Sequence, residues 1–389
     1  MSNVIYLDNH ATTQIDPEVL DTMMPYLTSE YGNAASSHLF GMKAEQAIEN
    51  ARTQVATAIG ANTNEVFFTG GATESNNLVI KGVFDHFSDQ KPHIITSAVE
   101  HKCILESCKY VEKRGGEITF LPVDADGRVN VEDVKKAIKP NTVLVSIMHG
   151  NNEIGSINDI AAIGALCHDK NILFHTDAAQ TLGKLPINVD DMHIDMMSAS
   201  AHKIYGPKGV GFVYIRSSAQ PQVTPLLHGG GQELGMRSGT SNVAGIVGLG
   251  KALELAVTDM DKHHEQYKSL RDRLYKRLTD SLDNIVVNGA DLADDAKRLP
   301  HNLNILLQDI DVSVLKRRLR SIAFSSGSAC SSADLRPSYV LTAIGRTDTE
   351  AHSSLRFGIG RFTTTEDIDT AADQIIAAVQ KLTPATVAA

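Results

Sequence analysis

The stretch SASAHKIYGPKGVG, Ser198 to Gly211, sets Lys203 between a strand end expected at Met196 and Met197 and a turn built on Gly206, Pro207 and Gly209. Surface lysines usually sit on charged faces. This one follows small Ser and Ala residues and His202, then meets Tyr205 and a Gly-Pro break. Such a setting suits a partly desolvated amine, whose lowered pKa makes it a nucleophile toward an aldehyde. Taken alone, the residue is equally well a loop lysine that caps a strand. Asp177 tips the balance, because it ends the apolar run Ile172, Leu173, Phe174 in NILFHTDAAQ, one strand connection earlier. In a parallel sheet both residues emerge at neighbouring carboxyl ends, where open α/β sheets bind ligands. A carboxylate there keeps a pyridinium nitrogen protonated, and a lysine holds an aldehyde as a Schiff base. Together they describe a pyridoxal phosphate site.

On either side of this stretch, strand and helix patterns alternate. The run EVFFT (65–69) leads into GGATESNNLVIKGVF, and HIITS is followed by a helix from Cys103 to about Arg114. Then come ITFLPV, a helix near Val131 to Ile138, the buried run TVLVSIM (142–148), ILFHTD, MMSAS and GFVYI. This alternation predicts a mostly parallel sheet with right-handed crossovers and helices on both faces. Gly70 and Gly71 precede a helix whose first turn holds Thr73, so free amides there form either an anion site or a plain cap. His101, just after a strand, either stacks on a cofactor ring or caps the next helix. HGNNEIG ends another strand with Asn151 and Asn152, and convergence of such loops on one edge favours a binding site. LLHGGGQELGMRSGTSN carries Arg237 and Thr240 and lacks GxGxxG spacing.

Before these, Pro17 starts a helix reaching roughly Tyr26, and a second helix is expected from Met42 to Ile59. Asn9 and His10, in IYLDNHATT, read as turn residues. From about Ala252 one charged helix, LELAVTDMDKHHEQYKSLRDRLYKRL, bridges to a smaller domain. In that domain Cys330 sits among Ser, Gly and Ala in IAFSSGSACSSADLRPSY, a composition expected of a mobile, functional loop. Arg356 and Arg361, in HSSLRFGIGRFTT, are candidates to clamp a carboxylate, with a structural ion pair as the rival for each.

A length of 389 residues exceeds what one core sustains, so two domains are expected. With 42% hydrophobic residues the composition is globular, and a net charge of −10 argues against nucleic acid or anionic membrane as main partner. Neither a secretory pattern nor an apolar run near ~18 residues is visible, so a cytoplasmic protein is expected. Cys103, Cys108, Cys167 and Cys330 show no zinc-ligand spacing, and the first three read as inert thiols in helical patterns.

In order along the chain, YLDNHATT, GGATESNN, VEHK, NNEIG, HTDAAQ, SASAHKIYGPKG, GGGQELGMRSGT, SSGSACSS and HSSLRFGIGRFTT closely resemble the cysteine desulfurases. The likeness runs nearly end to end and is to the branch serving nitrogen fixation and housekeeping iron–sulfur assembly, whose nucleophile lies in an SSGSAC loop. The resemblance implies a fold-type I pyridoxal phosphate enzyme of the class V aminotransferase superfamily, with a seven-stranded sheet and a smaller α+β domain. Residues 15–258 would form the large domain, and 1–14 with 259–389 the small one. It implies a homodimer with sites at the subunit interface.

The same resemblance gives Lys203 the Schiff base, Asp177 the pyridinium, Gln180 the phenolic oxygen and His101 the ring stack. Ala72, Thr73, Ser200 and His202 would line the phosphate with Thr240 of the partner chain, while Asn152 and Arg356 would take the substrate carboxylate. Lys203 would remove the α-proton of L-cysteine, and Cys330 would accept the sulfur as a persulfide, with His101 assisting proton transfer. Two departures stand out. The usual YGNP turn reads YGNAAS, and the sequence ends at KLTPATVAA where housekeeping members continue into a scaffold-docking segment, so docking to an iron–sulfur scaffold is expected to be weak or to use another surface. Selenocysteine lyase activity and a non-catalytic persulfide relay are the alternative functions.

Overall fold

The computed structural model describes residues 4–326 and 336–382. Its central feature is a seven-stranded sheet. Across it the strands run Val66–Thr69, Gly211–Ile215, Met196–Ser200, Leu173–Asp177, Thr142–Ser146, His93–Ser97 and Glu117–Leu121. Gly211–Ile215 is antiparallel to both its neighbours and every other pairing is parallel. The strands are apolar on both sides because helices cover both faces. Phe68, Ile95, Val145 and Met197 point into one core, and Phe67, Ile94, Leu144 and Met196 into the other. That one-residue alternation is the pleat of a doubly covered sheet.

Helices Leu39–Ile59 and Val243–Thr258 contribute Val55, Ile59 and Leu249 to the first core, and Ala72–His86 and Lys102–Lys113 contribute Leu78, Val83 and Ile104 to the second. The Leu39–Ile59 helix begins three residues before the expected Met42, because His38 caps it by accepting a hydrogen bond from the Gly41 amide. Helix Pro17–Thr28 starts at Pro17 as expected, with the Asp16 carboxylate accepting from the Glu18 amide. The single charged helix expected after Ala252 is two. The first ends at Thr258, Asp259 leaves helical geometry (φ −106°, ψ 20°), and a second runs Met260–Thr279. Hydrophobic periodicity continues across that break, which is why the sequence conceals it.

A third core, with Leu270, Leu274, Leu303, Ile305, Leu355, Phe357 and Ile375, packs under a four-stranded sheet. Its strands run Ser325–Ser326, Ser354–Gly358, Asn302–Leu307 and Ile285–Val287. Ile5–Tyr6 pairs in parallel with Ile322–Ala323, tying the start of the described chain to this unit. Among the described residues no helix is long and apolar enough to cross a membrane.

Candidate active site

Six strands of the large sheet run the same way and end at one edge. There a cavity of about 720 Å³ collects Gly70, Gly71, Ala72, Thr73, His101, Asn152, Asp177, Gln180, Ser200, His202, Lys203 and Arg356. Of the residues singled out from the sequence, these converge. Thr240 is exposed and lies outside the cavity lining of the single chain. Cys330 lies outside the described residues, as does its expected mobile loop, although Ser325, from the strand just before it, lines the cavity.

At the mouth, Gly71 precedes the Ala72–His86 helix with φ 139°, a conformation that side chains rarely adopt. The open backbone leaves the first-turn amides of a fifteen-residue helix facing the cavity with Thr73, Ser200 and His202. Burial, then the charges of Lys203 and Lys208, pushes His202 down to about 4, so it is a neutral donor or acceptor at pH 7. Deeper in, Asp177 is buried. One of its oxygens accepts from Asn76 Nδ2 at 2.7 Å and the other from the Ala179 amide at 2.9 Å, which fixes the carboxylate plane. His101 caps the Lys102–Lys113 helix and senses both Asp177 and Lys203. Burial lowers its pKa more than the Asp177 charge raises it.

Another side of the cavity carries Arg356, on the strand Ser354–Gly358. Its Nη2 donates to Asp8 Oδ1 at 2.7 Å and Ser325 Oγ at 2.9 Å, and Nη1 donates to the Asn152 carbonyl at 2.9 Å. Its Nε is buried without a partner among the described residues. Arg361 is placed differently. It lies beyond the strand, donates from Nη1 to Asp16 at 2.7 Å and stacks over Tyr205, so it is the structural ion pair. Arg237 likewise pairs with Glu74 at 2.8 Å.

The Aminotransferase class-V family profile matches residues 5–370. Cysteine desulfurase IscS of Rickettsia prowazekii is 48% identical over 379 residues, covering 97% of this chain and 92% of its own. The chain belongs to the cysteine desulfurase family. Two solved structures agree: a NifS-like protein superposes with a TM-score of 0.89 at 36% identity over 97% of this chain and all of its own, and SspA in complex with cysteine superposes at 0.81 with 38% identity, covering 92% and 99%.

Cysteine desulfurases are pyridoxal phosphate enzymes, and the residues present fit that group. The amine of Lys203, the buried carboxylate of Asp177 and the helix amides behind Gly71 are the three complementary ends for its aldehyde, ring nitrogen and phosphate.

Two features of this desulfurase chain add to the sequence reading. Asn9 and His10 lie in a turn as read, and Asp8, His10, Ala11 and Thr12 around it form a wall of the cavity. Lys203 Nζ donates to the carbonyls of His10 and Ala11, the latter at 2.9 Å, and His202 Nδ1 lies 3.1 Å from Thr12 Oγ1. His10 itself is 1% exposed. A signal was available: a histidine between two polar residues and a small one is cheap on a surface but must be partnered when buried, and IYL is an apolar strand immediately upstream. Cys103, read as an inert helical thiol, also sits at the site. It lines the cavity, its Sγ is 3.0 Å from His101 Nδ1, and Asn76 Nδ2 donates to it at 3.1 Å. Its chemistry remains that of an inert group, because burial and then Asp177 push the thiol up to about 12. Cys108 and Cys167 are buried in the helix packing.

Proposed function

We propose that the protein is a homodimeric desulfurase that converts L-cysteine to L-alanine, collects the sulfur as a persulfide on Cys330, and supplies it to iron–sulfur cluster assembly. The observation that carries this reading is the convergence of Lys203, Asp177, His101, the helix amides and Arg356 on one cavity. Bound pyridoxal phosphate supplies an electron sink that makes the substrate α-proton acidic. Arg356, with Asn152 beside it, receives the substrate carboxylate through charge-assisted hydrogen bonds. Lys203 takes the α-proton. Asp177, pinned by Asn76 and Ala179, holds the ring-nitrogen proton. His101 is held neutral by burial, so it can accept a proton at the substrate thiol. The Cys330 thiolate attacks the substrate sulfur, the carbon–sulfur bond breaks with its electron pair left on carbon, that carbon is protonated, and Lys203 returns the α-proton to give alanine.

Support for a homodimer comes from an apolar face. Leu20, Met24 and Leu27 recur at helical spacing on Pro17–Thr28 and are exposed, with Tyr31, Phe40 and Leu234 also exposed. Thr240 would complete a phosphate site only from a second copy. Cytoplasmic residence is supported by free thiols at Cys103, Cys108 and Cys167, as expected of a reducing compartment.

The test is alanine released from L-cysteine by the purified protein, with mass spectrometry to locate added sulfur. Wild type should release alanine and carry the extra sulfur on Cys330. Cys330→Ser should still bind cysteine yet release no alanine, because a hydroxyl is a far weaker nucleophile toward sulfur. Cys103→Ala is the informative control, since Cys103 shares the cavity and should nevertheless be dispensable. Sulfur found on Cys103 in an active Cys330→Ser protein overturns the assignment.

A further inference from the structure

Behind the Lys203 wall runs a chain of buried hydrogen bonds whose direction is forced at every step. It begins at Arg298, which is 0% exposed and whose guanidinium can only donate. Arg298 Nη1 donates to the carbonyls of Asn288 and Ala290 at 2.7 and 2.8 Å, and Nη2 to Asn302 Oδ1 at 2.9 Å. The atom facing the guanidinium must be oxygen, so the other Asn302 atom is the amide nitrogen. That nitrogen donates to the Glu153 carbonyl at 3.1 Å and lies 3.0 Å from His10 Nε2. His10 Nε2 is therefore an acceptor.

Burial, followed by the Arg356 charge, lowers the His10 pKa well below the ordinary value, so the ring carries one proton. That proton is on Nδ1, which lies 3.0 Å from Gln180 Oε1 and donates to it. Gln180 Nε2 in turn donates to the His10 carbonyl at 3.1 Å, so one histidine grips both ends of the amide. The second hydrogen of Nε2 has no acceptor among the described residues, and Gln180 lines the cavity.

We propose that His10 is a positioning residue: it locks the Gln180 amide in the one orientation that presents an N–H, and not a carbonyl, to an anionic oxygen of the ligand in the cavity. The proposal rests on the reading of that cavity as the pyridoxal phosphate site, where the group facing Gln180 is the phenolic oxygen. An amide flipped by half a turn would set oxygen against oxygen. The orientation is thus decided some distance from the cofactor, at Arg298 in the small unit, and passes through Asn302 and His10.

The test compares wild type with His10→Phe, Asn302→Leu and His10→Asn, each first resolved from cofactor. Pyridoxal phosphate binding is followed by fluorescence, and the visible absorption of the reconstituted protein is titrated with pH. His10→Phe removes both ring nitrogens from the chain, Asn302→Leu releases only the tautomer, and His10→Asn restores a donor toward Gln180. Losing a donor to an anionic oxygen weakens binding about ten- to a hundredfold. It also leaves that oxygen more basic, so the proton it shares with the Lys203 nitrogen is released only at higher pH. The expected order of weakened affinity and raised absorption midpoint is His10→Phe, then Asn302→Leu, then His10→Asn, the last near wild type.

The titratable groups around Lys203, namely Asp177, His101, His202, Lys184, Lys208 and Arg356, are unchanged in all three, so the midpoint reads the Gln180 donor. A loss of affinity with no movement of the midpoint, or equal values in all four proteins, overturns the proposal. Should His10→Phe fail to fold, the same ranking between Asn302→Leu and His10→Asn decides. Wild type that binds no pyridoxal phosphate would instead overturn the reading of the cavity itself.

Discussion

The strand ends of the large sheet bring Asp177, Ser200, His202 and Lys203 to one wall of the cavity, while the segment Asp8–Thr12 forms another that offers mainly backbone carbonyls and buried polar pairs. The first wall carries the reacting groups and owes its position to parallel-sheet topology alone. The second is held from both sides. The Leu7 amide donates to Ala323 and the Gly358 amide to Leu7, both at 2.8 Å, while the Thr13 amide donates to the His202 carbonyl at 3.0 Å. The two walls divide the labour: sheet topology places chemistry, and a short turn stitched between two cores sets its aim.

If that division is right, the largest effect comes from the first wall. Lys203→Ala should lose any borohydride-reducible bond between chain and cofactor and slow alanine release by at least about 10²–10⁴-fold, the range for a removed general base. Mass spectrometry after borohydride treatment reads the first and a steady-state assay the second. A reducible link surviving on another lysine would place the reacting amine off the strand ends and overturn this division.

A smaller effect should come from the second wall, at Asp8. Its carboxylate holds Arg356 in a pair whose side chains are 19% and 10% exposed. Asp8→Ala should leave Arg356 without its anchor, lowering kcat/KM about tenfold. Asp8→Asn keeps an oxygen facing Nη2 but removes a negative charge that repels the incoming carboxylate. Its KM for cysteine should fall by several-fold with kcat little changed. A higher KM in Asp8→Asn would show instead that the charge of Asp8, and not its geometry, positions Arg356.

The sequence made the first wall legible because each element there announces itself locally. An apolar run ends in a polar residue at Asp177 and at Ser200, and glycines follow a strand at Gly70 and Gly71. The second wall has no such signature. Asp8 meets Arg356 across 348 residues of chain, and the roles of His10 and Ala11 toward Lys203 pass through carbonyl oxygens that every residue type possesses. Cys103 was placed correctly on a helix, but helical spacing says nothing about which end of a helix opens onto a cavity. The break at Asp259 was hidden for a related reason: the spacing of buried positions near the end of the first helix carries on into the second, so the two read as one until the chain has to turn from one core to the other.

The smallest effect lies one layer beneath the first wall, where Glu100 joins two strand ends. Its Oε1 accepts from Ser97 Oγ at 2.8 Å and from the Met148 amide at 2.9 Å, while Oε2 is buried with no partner among the described residues. Burial raises its pKa to about 8, against two hydrogen bonds that lower it, with Asp177 adding to the rise. In the unfolded chain the same group titrates near 4.5. Between these values the native state binds a proton that the unfolded state does not, so stability contributed by the protonated form is fully present below about 4.5 and is lost as pH rises through about 8. Glu100→Gln keeps the acceptor for Ser97 and Met148 and cannot ionise. Its melting temperature relative to wild type should therefore climb as pH goes from about 5 to about 8, by roughly 2–4 °C for each kcal/mol that the wild type loses, and level off above. Thermal melts of both proteins across that range decide the matter. A difference flat with pH would mean that Glu100 is ionised in the native protein, and that the layer under His101 carries a negative charge in place of a proton.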